Sequence, residues 1–206
     1  MIRLLLKIAI VLFALNSSHS FSESFEPLGI IQSTTDKVLS KIESDKDKLK
    51  DNPGEMYNLV SDLVFPHFDF AVMSRFVLGA YWEKAAVKQK GEFIDEFRKL
   101  LVRTYASALL EFSNQTIDYP LDENIQKGKT AKIVQRINPQ GEAVSIVYRL
   151  HNSKGRWLAF DVSVSGVSLV KTYRGSFKSI IETQGLDQLI ISLKEKNEKF
   201  GNSLEN

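Results

Sequence analysis

The 206-residue sequence predicts an α+β fold: a curved antiparallel sheet of four strands in meander order, covered on one side by helices. Three observations predict it. Apolar residues recur at helical spacing as far as Phe112 and switch to strand-like alternation beyond it. Short segments of hairpin turn chemistry then separate the alternating stretches. A sheet with one apolar face must bury it, and the flanking amphipathic helices are the layer available to do so.

The elements follow in chain order. Residues 24–50 read as a helix with Ile30, Ile31, Val38, Leu39, Ile42 and Leu49 at its apolar positions, and Asn52-Pro53-Gly54 stops it. Residues 55–64 form a second helix, broken by Phe65-Pro66. Asp69 suits the N-cap of a third, short helix whose end Gly79 fits as the residue just past the last turn. A corner of Gly79, Tyr81 and Trp82 leads into a long amphipathic helix. On it Phe93, Phe97, Leu100, Leu101, Tyr105, Ala108, Leu109 and Phe112 share one face, and it ends near Ser113-Asn114. Strands are expected at 116–121, 130–137, 143–150 and 157–164. Lys127-Gly128, Asn138-Pro139-Gln140-Gly141 and Asn152-Ser153-Lys154-Gly155 separate them. Residues 166–184 return to helix, and 186–200 form a last amphipathic helix ending at Gly201. No repeat or dividing linker interrupts residues 21–206, which read as a single domain.

The first twenty residues read as a leader rather than part of the fold. Arg3 and Lys7 form a basic start, residues 4–15 an apolar run, and Ser18 and Ser20 stand at −3 and −1 of a cut before Phe21, the pattern of a cleaved secretory signal peptide. The apolar run is too short for the roughly 20 residues that span a bilayer. Export to a bacterial periplasm is the expected destination. The chain has 27 basic and 25 acidic residues, and loss of Arg3 and Lys7 leaves the remainder formally neutral. That balance carries no electrostatic footprint for nucleic acid and no polybasic anchor for an anionic membrane. With no cysteine, an exported chain relies on its core alone.

Catalytic motifs are weak or missing. His19 leaves with the leader; His67 and His151 are far apart, read as a capping or surface residue and a solvated turn residue, and make no ligand spacing, so no metal is expected. Ser168 to Lys171 matches S-x-x-K without its S-D-N or K-T-G partners, and no G-x-S-x-G occurs. Asp161, set among apolar residues, is a candidate buried carboxylate, read as the partner of Arg149 or Arg174 rather than as an acid catalyst. No phosphate-binding glycine loop is present, no cofactor is implied, and the chain does not read as an enzyme. What remains is apolar surface: Phe76, Tyr81, Trp82, Phe97, Tyr105, Tyr148, Trp157, Phe160, Tyr173 and Phe177 sit at core-facing positions by periodicity. Taken alone, they fit a packed core or the walls of a ligand cavity.

Three blocks carry a resemblance. Met73 to Tyr105 (MSRFVLGAYW, then Gln89, Phe93, Phe97, Arg98, Leu101 and Tyr105), Arg156 to Phe177 (RWLAFDVSVSGVSLVKTYRGSF) and Gly185 to Leu193 (GLDQLIISL) stand in the order of the MlaC, or toluene-tolerance auxiliary, family. They span most of the chain after the leader. The resemblance implies a periplasmic glycerophospholipid carrier with an apolar cavity between sheet and helices. It further implies partners on either side: an MlaA-like outer-membrane lipoprotein with a porin, and the MlaD-like ring of an inner-membrane ABC transporter. The implied task is maintaining outer-membrane lipid asymmetry. Within the matching blocks Phe76, Leu78, Tyr81, Trp82, Phe97, Leu101, Tyr105, Trp157, Val162, Val167, Leu169 and Tyr173 become the expected lipid contacts. Strand alternation adds Ile146 and Tyr148. Three other readings stay open: an adaptor with a solid core, a lipid hydrolase with Ser168 as nucleophile, and a binder of small hydrophobic solvents.

Overall fold

The computed structural model describes residues 26–111, 115–138 and 143–202. The expected leader, Phe112 with the end of the long helix, and the turn at 139–142 lie outside them.

The N-terminal helix is interrupted once. Helix α1 (Glu26–Ser44) and α2 (Lys46–Asp51) meet at Asp45, whose carboxylate pairs with Lys41 and accepts from the Ser44 hydroxyl. Short polar side chains there compete with the helical ladder. Helix α3 (Pro53–Leu63) starts with proline in its first turn, and the Asn52 side chain accepts from the Gly54 N–H. A single turn of tighter helix, Phe65–His67, leads to α4 (Phe70–Leu78). Asp69 caps α4 as expected, accepting from the Val72 N–H at 3.0 Å, and Gly79 ends it at φ +56. Helix α5 (Ala80–Lys84) carries Tyr81 and Trp82, and α6 (Val87–Glu111) is the long helix.

The sheet has six strands rather than four. They are β1 (Thr116–Asp118), β2 (Ile125–Lys127), β3 (Thr130–Asn138), β4 (Val144–Ser153), β5 (Arg156–Val164) and β6 (Val167–Ser168), all antiparallel. The first expected strand stops early because Pro120, without an N–H, ends the pairing. The chain turns through Leu121–Glu123 and returns as β2 on the same edge of β3. Asn124 fills the gap by accepting from the Val134 N–H at 2.7 Å. At the other end Ser165 and Gly166, both at positive φ, fold the chain back to pair with β5 for two residues before the last helix begins. That helix, α7 (Leu169–Asn202), is kinked at Gly185 (φ 84, ψ 166), the boundary expected between two helices.

The β4–β5 register jumps from Arg149↔Asp161 to Leu150↔Ala159, leaving Phe160 as the extra residue of a bulge. A bulge bends and twists its strand, and this one curves the sheet. Ala131, Ile133, Leu150, Trp157 and Ala159 form one face, covered by Leu28 and Ile31 of α1. Helices α4, α6 and α7 pack around Met73, Phe93, Phe97, Phe177 and Leu189. A third cluster, including Ile42, Met56 and Val102, joins α1–α3 to α6. The free edge of β5 is taken at one end by β6 and at the other by Phe68, which bridges Ala159; the Asp69 N–H donates to the Ala159 carbonyl at 2.8 Å.

Asp161 organises the start of α7. Its carboxylate accepts from the Ser168 hydroxyl and the Val170 N–H and pairs with Arg149 at 2.9 Å, one of the two partners expected. Arg174 instead donates to the Phe76 carbonyl. Replacing Asp161 by alanine strands buried donors of α7 and one cation, so a urea titration of Asp161→Ala is expected to show a loss of about 3 kcal/mol. Arg149→Ala removes only a half-exposed partner and costs about 1 kcal/mol. Equal losses would mean that the ion pair, not the helix start, is what Asp161 holds.

Candidate functional site

The expected contact residues fall into two sets that the fold keeps apart. Leu78, Phe97 and Leu101 are buried in the helical cluster, and Tyr81, Trp82, Tyr105, Leu169 and Tyr173 pack partly buried against it. Phe97 is fully enclosed; its ring stacks on Phe93 and meets Tyr173 edge-on at 5.3 Å between centroids. Trp157 and Tyr148 belong to the sheet cluster under α1. Register places Val162 opposite Tyr148 and Ile146 two residues along the same face of β4. Two residues are not enclosed. Phe76 is 42% exposed although Met73 and Val77 of the same helix are buried, and it rests its ring on Phe160. Val167, 59% exposed, points off the short edge strand β6.

Polar groups stitch the sheet set to α1. The Tyr148 hydroxyl donates to Gln135 Oε1 at 2.7 Å, and Gln135 Nε2 donates to Thr35 and to the Tyr119 hydroxyl. Burial pushes the phenols of Tyr148 and Tyr119 up. In the helical set, burial and then the neighbouring Tyr173 raise Tyr105 to about 12. Both sets thus present neutral hydroxyls within apolar walls. His151 is not the solvated turn residue expected. It lies within β4, and its Nε2 is 2.9 Å from the Asp69 carboxylate, because the strand runs past the turn position and carries the ring against Phe160. Burial, then Lys37, pushes His67 down.

Ser168 is occupied as a helix cap: its hydroxyl donates to Asp161 and accepts from the Lys171 N–H at 3.1 Å. A nucleophilic serine needs a base aligned to take its proton, and a buried carboxylate shared with a helix start and an arginine is not that arrangement.

Beside Phe68 the structure opens a cleft of about 470 Å³, exposed to solvent on one side and lined by none of the expected contact residues. Its apolar lining is Phe65, Phe68, Phe70, Ala71, Ile94 and Leu158; its polar lining is Asp69, Arg98, Ser153, Lys154 and Arg156. Phe68 packs against both the helical and the sheet clusters, and Phe65 against both helical clusters. The cleft therefore sits where all three clusters meet. A cavity closed between sheet and helices is not what this cleft is; it reaches the surface at the Ser153–Arg156 hairpin. The sequence alone does not bring these residues together, since they come from three separated segments. The one local signal is the run FPHFDF, which sets Phe65, Phe68 and Phe70 around a proline turn.

Comparison with known proteins is consistent along the chain. The family model described as MlaC protein matches residues 32–195. The intermembrane phospholipid transport system binding protein MlaC of Haemophilus influenzae is 27% identical over 173 residues, covering 82% of this chain and 81% of that protein. The toluene tolerance protein ttg2D of Pseudomonas putida is 28% identical over 163 residues, covering 78% and 75% respectively. A phospholipid-binding protein from Ralstonia solanacearum, solved in complex with a phospholipid, superposes with a TM-score of 0.78 at 29% identity, over 85% of this chain and 98% of that one.

Two outcomes follow from the packing. Phe97→Ala removes a fully enclosed ring and is expected to cost about 3–5 kcal/mol in chemical denaturation, whereas Val167→Ala at its exposed edge changes stability by less than about 0.5 kcal/mol. The raised phenols also set an alkaline limit. A tyrosine whose folded pKa lies above its unfolded value stabilises the fold fully below the unfolded pKa and loses that contribution as pH rises through the folded one. For Tyr105 that window runs from pH 10 to about 12. A Tyr105→Phe variant should lose less stability than wild type across it, as measured by melting temperature against pH.

Proposed function

The chain belongs to the MlaC family, and from that premise we propose that it is a periplasmic phospholipid carrier serving an intermembrane lipid transport system. Its structural neighbour from R. solanacearum holds a phospholipid, and the fold is shared over nearly all of that protein. The observation that carries the reading in this chain is the seam: three apolar clusters converge on one open cleft instead of merging into a single core.

Energetics explain why such a seam suits the task. Exposing an acyl chain to water costs about 0.8 kcal/mol per CH₂, so two chains of roughly sixteen carbons demand on the order of 25 kcal/mol of shelter. A surface groove cannot supply this; the chains must pass between layers. A dry void kept open for them would cost about 24 cal/mol per Å³, and a few hundred Å³ would consume a domain's whole stability. A carrier therefore closes its walls on one another when it has no lipid and parts them to load. In this reading Leu78, Tyr81, Trp82, Phe97, Leu101, Tyr105, Leu169 and Tyr173 form one wall, and Ile146, Tyr148, Trp157 and Val162 the other. Phe76 and Val167 are the two proposed contacts that face solvent in the closed form.

No helix among the described residues is long and apolar enough to cross a membrane. The carrier would meet its membranes through protein receptors, an MlaA-like lipoprotein with a porin on the outer side and an MlaD-like ring on the inner. The H. influenzae relative is named for phospholipid transport and binding and the R. solanacearum protein for phospholipid binding, which supports a carrier rather than an enzyme.

The test is mass spectrometry of the protein purified from periplasm without detergent, under native and then denaturing conditions. The carrier reading predicts near-stoichiometric phospholipid released only on denaturation. A bare protein would identify the clusters as ordinary core and favour the adaptor reading. The lipid-loaded form should also melt several degrees above the delipidated form, since a ligand that binds only the folded state stabilises it by mass action.

A further inference from the structure

One feature of the cleft is not explained by shelter for acyl chains: its mouth is cationic. Arg98, Lys154 and Arg156 line it together, against a single carboxylate, Asp69. Asp69 is already engaged, one oxygen by the Val72 N–H and the other by His151. Among the described residues none of the three cations takes part in an ion pair. Arg98 lies over the rings of Phe70 and Phe65, at 5.0 and 5.5 Å from their centroids, which holds its guanidinium against the apolar lining. Its Nε is buried without a hydrogen-bond partner. A buried N–H left unpaired costs about 1–3 kcal/mol, so a hydrogen-bond acceptor brought to Arg98 is favoured.

The hairpin adds a second indication. Lys154 and Gly155 form its two-residue turn, both at positive φ (53 and 83). Such a turn favours asparagine, aspartate or glycine at its first position, and a lysine there is uncommon. Glycine would meet that backbone more cheaply; lysine instead sets a cationic side chain on the turn. The turn sets Lys154 and Arg156 on the rim of the same cleft as Arg98.

We propose that Arg98, Lys154 and Arg156 form the binding site for the phosphodiester of a phospholipid head group, with the acyl chains entering beside it over Phe65, Phe68, Phe70 and Leu158. This rests on the lipid-carrier reading and adds to it where the head group sits and what it must carry. An arginine fork fits phosphate oxygens in a way a point charge does not, and an aromatic stack pre-orients the fork. One phosphate leaves cationic charge over, so the site prefers anionic lipids such as phosphatidylglycerol to zwitterionic ones. It gives no grip on a lipid without phosphate.

The experiment uses the delipidated full-length exported chain and three probes followed by calorimetry: dihexanoyl phosphatidylglycerol, dihexanoylglycerol and inorganic phosphate. Each is titrated into wild type, Arg98→Gln, and the double variant Lys154→Gly with Arg156→Gln. The double variant changes exposed positions only, so it remains informative where Arg98→Gln fails to fold. The expected result is about tenfold or greater loss of phosphatidylglycerol affinity in the variants, with dihexanoylglycerol binding unchanged. Phosphatidylglycerol binding should also weaken with salt in wild type and less so in the double variant. Equal effects on both lipids, or none on either, overturn the subsite while leaving the carrier reading intact. Inorganic phosphate binding as tightly as the lipid would overturn the head-group assignment in favour of a free oxyanion. Wild type that binds neither lipid would instead defeat the carrier reading itself.

Discussion

The joint at Phe68 and Asp69 is the contact on which the rest of the molecule depends. Phe68 pairs with Ala159 along the open edge of β5 and packs into both the helical and the sheet clusters. Asp69 donates its N–H to the same strand, caps α4 with one carboxylate oxygen and holds His151 of β4 with the other. A few residues thus fix where the helical layer begins, how it is aimed and how far it stands from the sheet. Two residues further along the same strand, Asp161 and Ser168 perform the matching task for α7. Away from these two clasps the halves meet mainly through apolar side chains, which have no directional preference and can re-pack.

On the proposed reading, that division lets one chain be both stable and able to open. Directional bonds are concentrated around the middle of β5, at Ala159 and Asp161, where parting would break buried hydrogen bonds. The helical cluster beyond them carries aromatic rings, whose contacts are individually small and can be exchanged for acyl chains of similar chemistry. The cleft beside Phe68 is where that exchange has the least to disrupt, since its walls already reach solvent. Its cationic rim lies on the hairpin and at Arg98, which on the proposed reading keeps a head group wet while the chains are sheltered.

Much of this was legible in the sequence because it is local. Asp69, Gly79 and Gly185 declare their caps and kinks through their own chemistry. The β3, β4 and β5 strands announce themselves by alternation and by the turns between them. Asp161 stood out as a carboxylate in an apolar strand, and Arg149 was named among its two candidate partners. What was not legible depends on pairing at a distance. β2 and β6 are too short to show a period, and they exist because a neighbouring strand offers an unpaired edge. Phe76 counts as core by periodicity, yet it lies at the edge of the buried face of the short α4, 42% exposed, with its ring on Phe160. His151 looked like a turn residue because the strand's end is set by its partner, not by its own side chains. The cleft was invisible for the same reason, being assembled from segments up to ninety residues apart on the chain.

The central claim is that acyl chains lie between the helical and sheet clusters, entering beside Phe68. Isotope-filtered NMR measures this directly, by detecting contacts from ¹³C-labelled acyl chains of bound phosphatidylglycerol to the protein's side chains. The account predicts contacts to Phe65, Phe68, Phe70 and Leu158, continuing to Phe97 and Tyr173 on one side and to Tyr148 and Val162 on the other. Contacts confined to exposed residues such as Phe76 and Val167, or to one cluster alone, would contradict it.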